Sequence, residues 1–158
     1  MSDASLHDRM DRLVGTWRTE GVVEDGGEHD GQSWRGFDVY EWFPGRRHLV
    51  HRVDVRIFGE RRETLEVLTP RDATSIDQVA YEADGDVGRS EGWFDDEGRY
   101  RNDLPGARAV LTFTGADTMA AVWERRDADA WVPWMRVRFT RVGSPHVEVR
   151  SKDDHLGW

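Results

Sequence analysis

Hydrophobic and polar residues alternate along most of the chain after Gly15, as they do in β-strands whose two faces meet different surroundings. Segments rich in β-branched and aromatic residues are separated by short runs of Gly, Pro and Asp, which favour turns. The predicted strands cover residues 16–23, 35–43, 48–58, 60–68, 75–83, 88–95, 107–115, 117–126 and 130–142. No helical periodicity lies between them, so we expect consecutive strands to form antiparallel hairpins.

The first residues of the chain follow a different period. Residues 4–14 place Leu6, Met10 and Leu13 at helical spacing, and Gly15 follows the last of them as a helix stop. The pattern therefore predicts one short amphipathic helix before the strands begin.

A long antiparallel sheet has two exposed edges, and closure into a barrel removes both. The predicted fold class is therefore all-β, with a single antiparallel up-and-down β-barrel of about ten strands and a short N-terminal helix. A two-sheet sandwich is the structural alternative. We expect the barrel domain to span residues 1–142 and a polar C-terminal tail to span residues 143–158, where "VEVR" could add a short edge strand.

The composition narrows the classes of function. A net charge of −9 makes nucleic acids and membrane surfaces unfavourable partners. The absence of cysteine excludes disulfides, thiolate catalysis and cysteine-bound zinc. No secretory signal and no transmembrane-length apolar run is visible, so we expect a cytoplasmic protein. The hydrophobic fraction of 37% is low, as a wet or ligand-filled interior would make it.

Three ionisable residues fall on the predicted inner face of the barrel. His51 alternates with apolar residues of its strand, and Glu41 and Glu63 share the parity of apolar residues in the neighbouring strands. With a turn around residues 44–46, Glu41 lies opposite Leu49 and diagonal to His51. Burying an unpaired carboxylate is costly, so these groups are expected to pair or to meet water or a ligand. Two alternatives stay open: a bulge that turns Glu41 outward, and a satisfied structural network without a ligand.

The last predicted hairpin supplies an apolar counterpart to these charges. Trp123 and Met135 fall on its inner face, together with Met119, Ala121, Trp131, Val137 and Phe139. Such a stripe is ordinary core in many barrels, although Met beside Trp also adapts to a flexible apolar ligand. The predicted ligand-binding residues are Glu41, His51, Glu63, Trp123 and Met135.

Two groups of motifs carry a family resemblance. "LVGTWR", residues 13–18, resembles the start of the calycin superfamily, which includes lipocalins, fatty-acid-binding proteins and nitrobindin-like barrels. "YEWFPGRRHLVHRVDV", "GERRETLEVL", "WFDDEG" and "WERRDADAWVPWMRVRFTRV" resemble a bacterial lipocalin-like family, the domain of unknown function 1579. The first resemblance implies that Trp17 packs across the closed end of the barrel and is covered by Arg138 or Arg141. The second implies a barrel with a small-molecule interior and specifies no reaction.

The leading hypothesis is a binding protein for a small, partly apolar molecule, with its polar head at Glu41, His51 and Glu63. The first alternative is an isomerase, cyclase or hydrolase that uses His51 or Glu63 as acid or base. A haem-binding barrel with axial His51, by analogy with the nitrobindin-like barrels, and a scaffold with a filled interior are further alternatives. We expect no metal or cofactor in the leading case and a small-molecule partner, with a homodimer and a monomer both open.

Overall fold

Ten antiparallel strands follow one another around a closed barrel in the computed structural model, which describes residues 4–147. The strands are β1 (Gly15–Val23), β2 (Ser33–Trp42), β3 (Leu49–Ile57), β4 (Glu60–Pro70), β5 (Ser75–Glu82), β6 (Val87–Phe94), β7 (Tyr100–Leu104), β8 (Ala107–Gly115), β9 (Thr118–Asp127) and β10 (Ala130–Gly143). Each strand pairs with the next, and β1 pairs with β10 to close the sheet. The predicted up-and-down barrel is confirmed.

One strand was missing from the sequence prediction. β7 has five residues, and its central "RND" is polar, so its apolar alternation is too short to stand out. β10 ends at Gly143, the first residue of the predicted tail, and residues 148–158, which include most of the suggested edge strand, lie outside the described part of the chain.

The predicted N-terminal helix is present as α1 (Leu6–Asp11), with Ser5 as its N-cap. A capping box joins Ser5 and Asp8, and Leu6 and Met10 are buried against the barrel. Asp11 accepts a hydrogen bond of 2.7 Å from Trp42 Nε1, which ties the helix to the end of β2. Among residues 4–147, no helix is long and apolar enough to cross a membrane.

Trp17 closes the helix-side end of the barrel, as the resemblance to calycins implied. Its side chain is fully buried, and Nε1 donates a hydrogen bond of 2.8 Å to the carbonyl oxygen of Leu13. The guanidinium of Arg141 lies 4.3 Å from the centre of the indole. The covering arginine is therefore Arg141, whereas the side chain of Arg138 is 76% exposed.

The two ends of the barrel are filled differently. The end beneath α1 is a packed core, where the side chains of Leu49, Leu68, Ile76 and Met119 are fully buried. The opposite end, which is formed by the β3–β4 and β5–β6 turns, is lined by exposed residues around an opening. The interior is therefore solid in one half and hollow in the other.

Candidate functional site

A cavity of about 750 Å³ occupies the hollow half of the barrel. Its mouth is bordered by exposed residues of two turns, among them Glu60 and Asp84. Its volume lies within the range of about 300–1,000 Å³ that is typical of small-molecule pockets. The hollow is therefore large enough for an organic molecule rather than for a few waters only.

The walls of the cavity are largely apolar. They are formed by inward-facing residues of β3, β8, β9 and β10, which are Val53, Val55, Ala109, Leu111, Ala121, Trp123, Met135 and Val137. Trp34 of β2 contributes a further ring, which packs over Gly21 of the neighbouring strand. This surface suits an aliphatic or aromatic body.

The floor of the cavity carries a buried charged cluster. His51 Nε2 lies 2.6 Å from Oδ2 of Asp38, and His51 Nδ1 lies 2.9 Å from Oε1 of Glu66. The three side chains are 11%, 9% and 18% exposed for His51, Asp38 and Glu66. Because each ring nitrogen faces a carboxylate oxygen, both nitrogens donate a hydrogen bond, and the ring is an imidazolium.

The same contacts set the pKa of His51. Burial by itself lowers this pKa. The hydrogen bonds to Asp38 and Glu66 raise it by more than burial lowers it, and the resulting pKa is about 9. The ring is therefore positively charged at neutral pH. An imidazolium has no lone pair with which to take up a proton, so His51 is not a general base in this state.

Aromatic and hydroxyl groups hold the cluster in place. The ring of Tyr40 is stacked on His51, with 3.9 Å between the ring centres, and Thr19 Oγ1 donates a hydrogen bond of 2.5 Å to Oδ1 of Asp38. Burial, and then the nearby carboxylates of Asp38 and Glu66, raise the pKa of Tyr40 well above its usual value. Tyr40 therefore stays a neutral phenol.

A second polar pair lies beside the cluster. The Tyr100 hydroxyl donates to Oε1 of Gln78, whose amide nitrogen donates a hydrogen bond of 2.8 Å to Ser90 Oγ. Burial, and then the charge of Glu66, raise the pKa of Tyr100 well above its usual value. Gln78 and Tyr100 also line the cavity, so polar groups extend across its floor.

Four of the five predicted site residues line the cavity, with Glu63 at its mouth. His51 lies at its floor, and Trp123 and Met135 lie side by side in its wall, where they are paired across β9 and β10. Trp131, which the alternation also placed inside, lies beyond a bulge at residues 133–135 and stacks with Arg108. The bulge adds one residue to β10, so the residues of β10 that precede it point to the opposite face from the one that simple alternation predicts.

The prediction that Glu41 points inward is wrong. Tyr40, not Glu41, is on the cavity side, because Tyr40 pairs with His51 and Glu41 pairs with Val50. The assumed turn was one residue out of register, and a slip of one residue exchanges the two faces of a strand. Glu41 instead accepts a hydrogen bond of 2.9 Å from the backbone nitrogen of Val147, at the start of the tail.

The carboxylate of Glu63 is also directed away from the cluster. Glu63 borders the mouth of the cavity, but its Oε1 accepts a hydrogen bond of 2.7 Å from Arg52, on the opposite face of β3 from His51. Because Glu66 pairs with His51 across β3 and β4, Glu66 occupies the inward position expected for Glu63. His51 and Glu63 therefore do not form the acid–base pair of the enzyme alternative.

The haem alternative meets a similar obstacle. An axial ligand needs a free ring nitrogen, and both nitrogens of His51 are engaged by carboxylates. In the part of the chain that the structure describes, no group of three His, Cys, Asp or Glu residues is arranged to hold a metal ion.

The sequence prediction missed five residues of the floor, namely Asp38, Tyr40, Glu66, Gln78 and Tyr100. In β2, Asp38 and Tyr40 lie on the same face of the strand as Trp34 and Trp42. These two Trp residues mark that face as a candidate inner face, just as Phe37 and Val39 mark the opposite face.

Comparisons with known proteins support the fold. No protein-family profile matches the sequence, and no curated protein is significantly similar to it. The similar solved structures include Rv2717c from M. tuberculosis, with a TM-score of 0.68, and the S-type phycobiliprotein lyase CPES from Guillardia theta, with a TM-score of 0.60. Each is 12% identical over 89% of this chain, covering 99% and 94% of the two relatives respectively. At that identity the likeness shows a shared barrel fold.

Proposed function

We propose that the protein binds a small, partly apolar molecule in the barrel cavity. The polar part of the ligand meets the floor formed by Asp38, His51 and Glu66, and the apolar part lies against Trp123 and Met135. The observation that carries this proposal is the cavity of about 750 Å³ with a charged floor and apolar walls. Membership of the bacterial family that the sequence resembles is part of the proposal.

The energetics of the interior support a ligand. A hollow forgoes the close packing that makes protein cores stable, and a buried ion cluster is often no more stabilising than apolar residues of the same volume. This barrel has both features side by side, while its other half is packed solid. A chain selected for stability alone has little reason to keep them, whereas a binding site needs the space and the polar groups.

A pair of matched substitutions in β9 tests the proposal. Ala121 faces the cavity, and its neighbour Val122 faces solvent and is 49% exposed. Ala121→Phe places a ring inside the hollow, and Val122→Phe places the same ring outside. Binding of a library of small neutral, cationic and anionic aromatic compounds is measured by ligand-observed NMR, with near-ultraviolet circular dichroism as a check on the fold.

We expect several compounds to bind the wild-type protein and the Val122→Phe variant, and to lose affinity for the Ala121→Phe variant. The reason is that Phe at position 121 fills volume that the ligand needs. Absence of binding by every compound would contradict the proposal, as would equal binding to the two variants.

A further inference from the structure

The charges at the cavity floor do not cancel. Asp38 and Glu66 supply two carboxylates and His51 supplies one imidazolium, so the cluster carries one net negative charge. No other charged side chain of residues 4–147 hydrogen-bonds to these three. In a site partly shielded from water, an uncompensated charge of this kind favours a positive group nearby.

Two oxygen atoms at the floor lack partners. Within residues 4–147, Oε2 of Glu66 and the hydroxyl of Tyr40 have no hydrogen-bond partner, and both side chains line the cavity. Tyr40 is only 5% exposed, so its hydroxyl has little access to water outside the barrel. Neither oxygen is fully sealed in protein, so both are accessible from the cavity. Both atoms accept hydrogen bonds, so a donor group of a molecule in the cavity can bind to them.

The mouth of the cavity, like its floor, carries a net negative charge. Five acidic and two basic residues border it among the described residues: Glu60, Glu63, Glu82, Asp84 and Asp86 against Arg61 and Arg62. One of the two arginines, Arg61, is engaged by Asp54 at 2.7 Å and lies 3.5 Å from Glu63. An opening lined in this way attracts cations and repels anions as they enter.

We propose that the ligand is a protonated amine attached to an aromatic or aliphatic body. The ammonium group donates hydrogen bonds to Oε2 of Glu66 and to the Tyr40 hydroxyl, and it offsets the net negative charge of the floor. The rings of Trp34 and Trp123 offer faces that attract cations and pack against the ligand body. This inference rests on the proposed function, since it names the ligand class of the same cavity.

The proposal also specifies what the cavity disfavours. A carboxylate or phosphate would meet Glu66 directly, because the His51 N–H groups are already directed at Asp38 and Glu66. Fatty acids and acidic metabolites are therefore poor candidates, although apolar walls alone would accept their chains.

Three probes that differ in one functional group test the ligand class. These are 1-naphthylmethylamine, 1-naphthylmethanol and 1-naphthoic acid, which are cationic, neutral and anionic at neutral pH. Isothermal titration calorimetry on the wild-type protein is expected to show the amine binding at least about tenfold more tightly than the alcohol, because it gains a charge-assisted hydrogen bond. The acid is expected to bind most weakly.

Two matched substitutions locate the effect. Glu66→Gln keeps an acceptor for His51 but removes the excess charge, so affinity for the amine falls about tenfold while affinity for the alcohol changes little. Glu41→Gln removes the same charge from the outer face and leaves all three affinities unchanged. Ala121→Phe weakens every probe, which separates binding in the cavity from attraction to the acidic surface.

The outcomes separate this inference from the proposed function. If the alcohol or the acid binds as tightly as the amine, the amine class is wrong and the cavity remains a binding site. If the amine binds equally well to the wild type and to Ala121→Phe, it binds the surface and the inference fails. If none of the probes binds, the inference also fails, and the wider compound library decides the fate of the proposed function.

Discussion

His51 Nε2 lies 2.6 Å from Oδ2 of Asp38, and this contact joins β3 to β2 at the floor of the cavity. Both side chains are about nine-tenths buried. With Glu66 on the other ring nitrogen, the contact holds a charged histidine inside the barrel. Stability, pH dependence and ligand choice all follow from it.

The protein is expected to lose stability as the pH rises from about 6.5 to 9. The pKa of His51 is about 9 in the folded protein and about 6.5 in an unfolded chain, so its stabilising contribution is complete below about 6.5 and disappears as the pH passes 9. At 1.36 kcal/mol per pKa unit, the difference corresponds to roughly 3 kcal/mol. Urea unfolding across this range measures it.

The matching control is His51→Gln, which removes the titrating ring but keeps hydrogen-bonding capacity. Its unfolding free energy is expected to change much less over the same pH range. The NMR signal of His51 is identified by its absence from the His51→Gln variant. If that signal titrates near pH 6.5 in the folded wild-type protein, the assignment of an imidazolium is contradicted.

Asp38→Ala is expected to destabilise the protein by about 3 kcal/mol or more, because it leaves the buried His51 Nε2–H and the Thr19 hydroxyl without their acceptor. Asp54→Ala is the matched control. Asp54 pairs with Arg61 at 2.7 Å on the outer face and is 34% exposed, so its loss is expected to cost less than about 1 kcal/mol. Urea unfolding compares the two variants, and equal losses would show that the cluster is not a special feature of the interior.

Gly21→Ala is expected to disturb the cavity wall. A Cβ atom at position 21 would overlap the ring of Trp34, which must then move, at a cost of about 1–3 kcal/mol. Gly88→Ala adds the same methyl group where nothing lies within 4 Å, so it is expected to be nearly neutral. Thermal unfolding gives the stabilities, and a Gly21→Ala variant as stable as Gly88→Ala would contradict the packing of Trp34 over Gly21.

Arg141→Ala is expected to destabilise the closed end by roughly 1–3 kcal/mol, because Arg141 covers Trp17 and donates a hydrogen bond of 2.9 Å to the carbonyl oxygen of Arg12. Arg138→Ala, three residues earlier on the same strand, removes an exposed side chain and is expected to change stability by less than about 0.5 kcal/mol. Denaturant titrations of both variants, followed by Trp fluorescence, distinguish the two arginines. Equal effects would contradict the role of Arg141.

Much of the barrel was predictable because alternation and turn residues are local signals. The helix follows from residues 4–14 and the order of the strands from the regular spacing of turns, whereas the closing position of Trp17 was implied by the resemblance to calycins. His51 was placed correctly because its own strand alternates cleanly between apolar and charged residues. The inner face of β9 was found for the same reason.

The site could not be completed from the sequence because strand register is not local. β2 carries aromatic residues on both faces, so apolarity alone did not reveal that Tyr40 rather than Glu41 faces inward. The turn between β2 and β3 is one residue longer than the predicted turn, and this difference places Tyr40 rather than Glu41 on the inner face. The polar floor worsens the ambiguity, since Asp38 and Glu66 make the true inner faces look less hydrophobic than a packed core.

The most direct test of the account is a crystal structure of the protein soaked with 1-naphthylmethylamine. We expect the naphthalene inside the barrel beside Trp123 and Met135, with the amine nitrogen in hydrogen-bond contact with Glu66 and with the Asp38–His51 pair unmoved. An interior filled by the protein's own side chains, or a probe bound only on the outer surface, would contradict it.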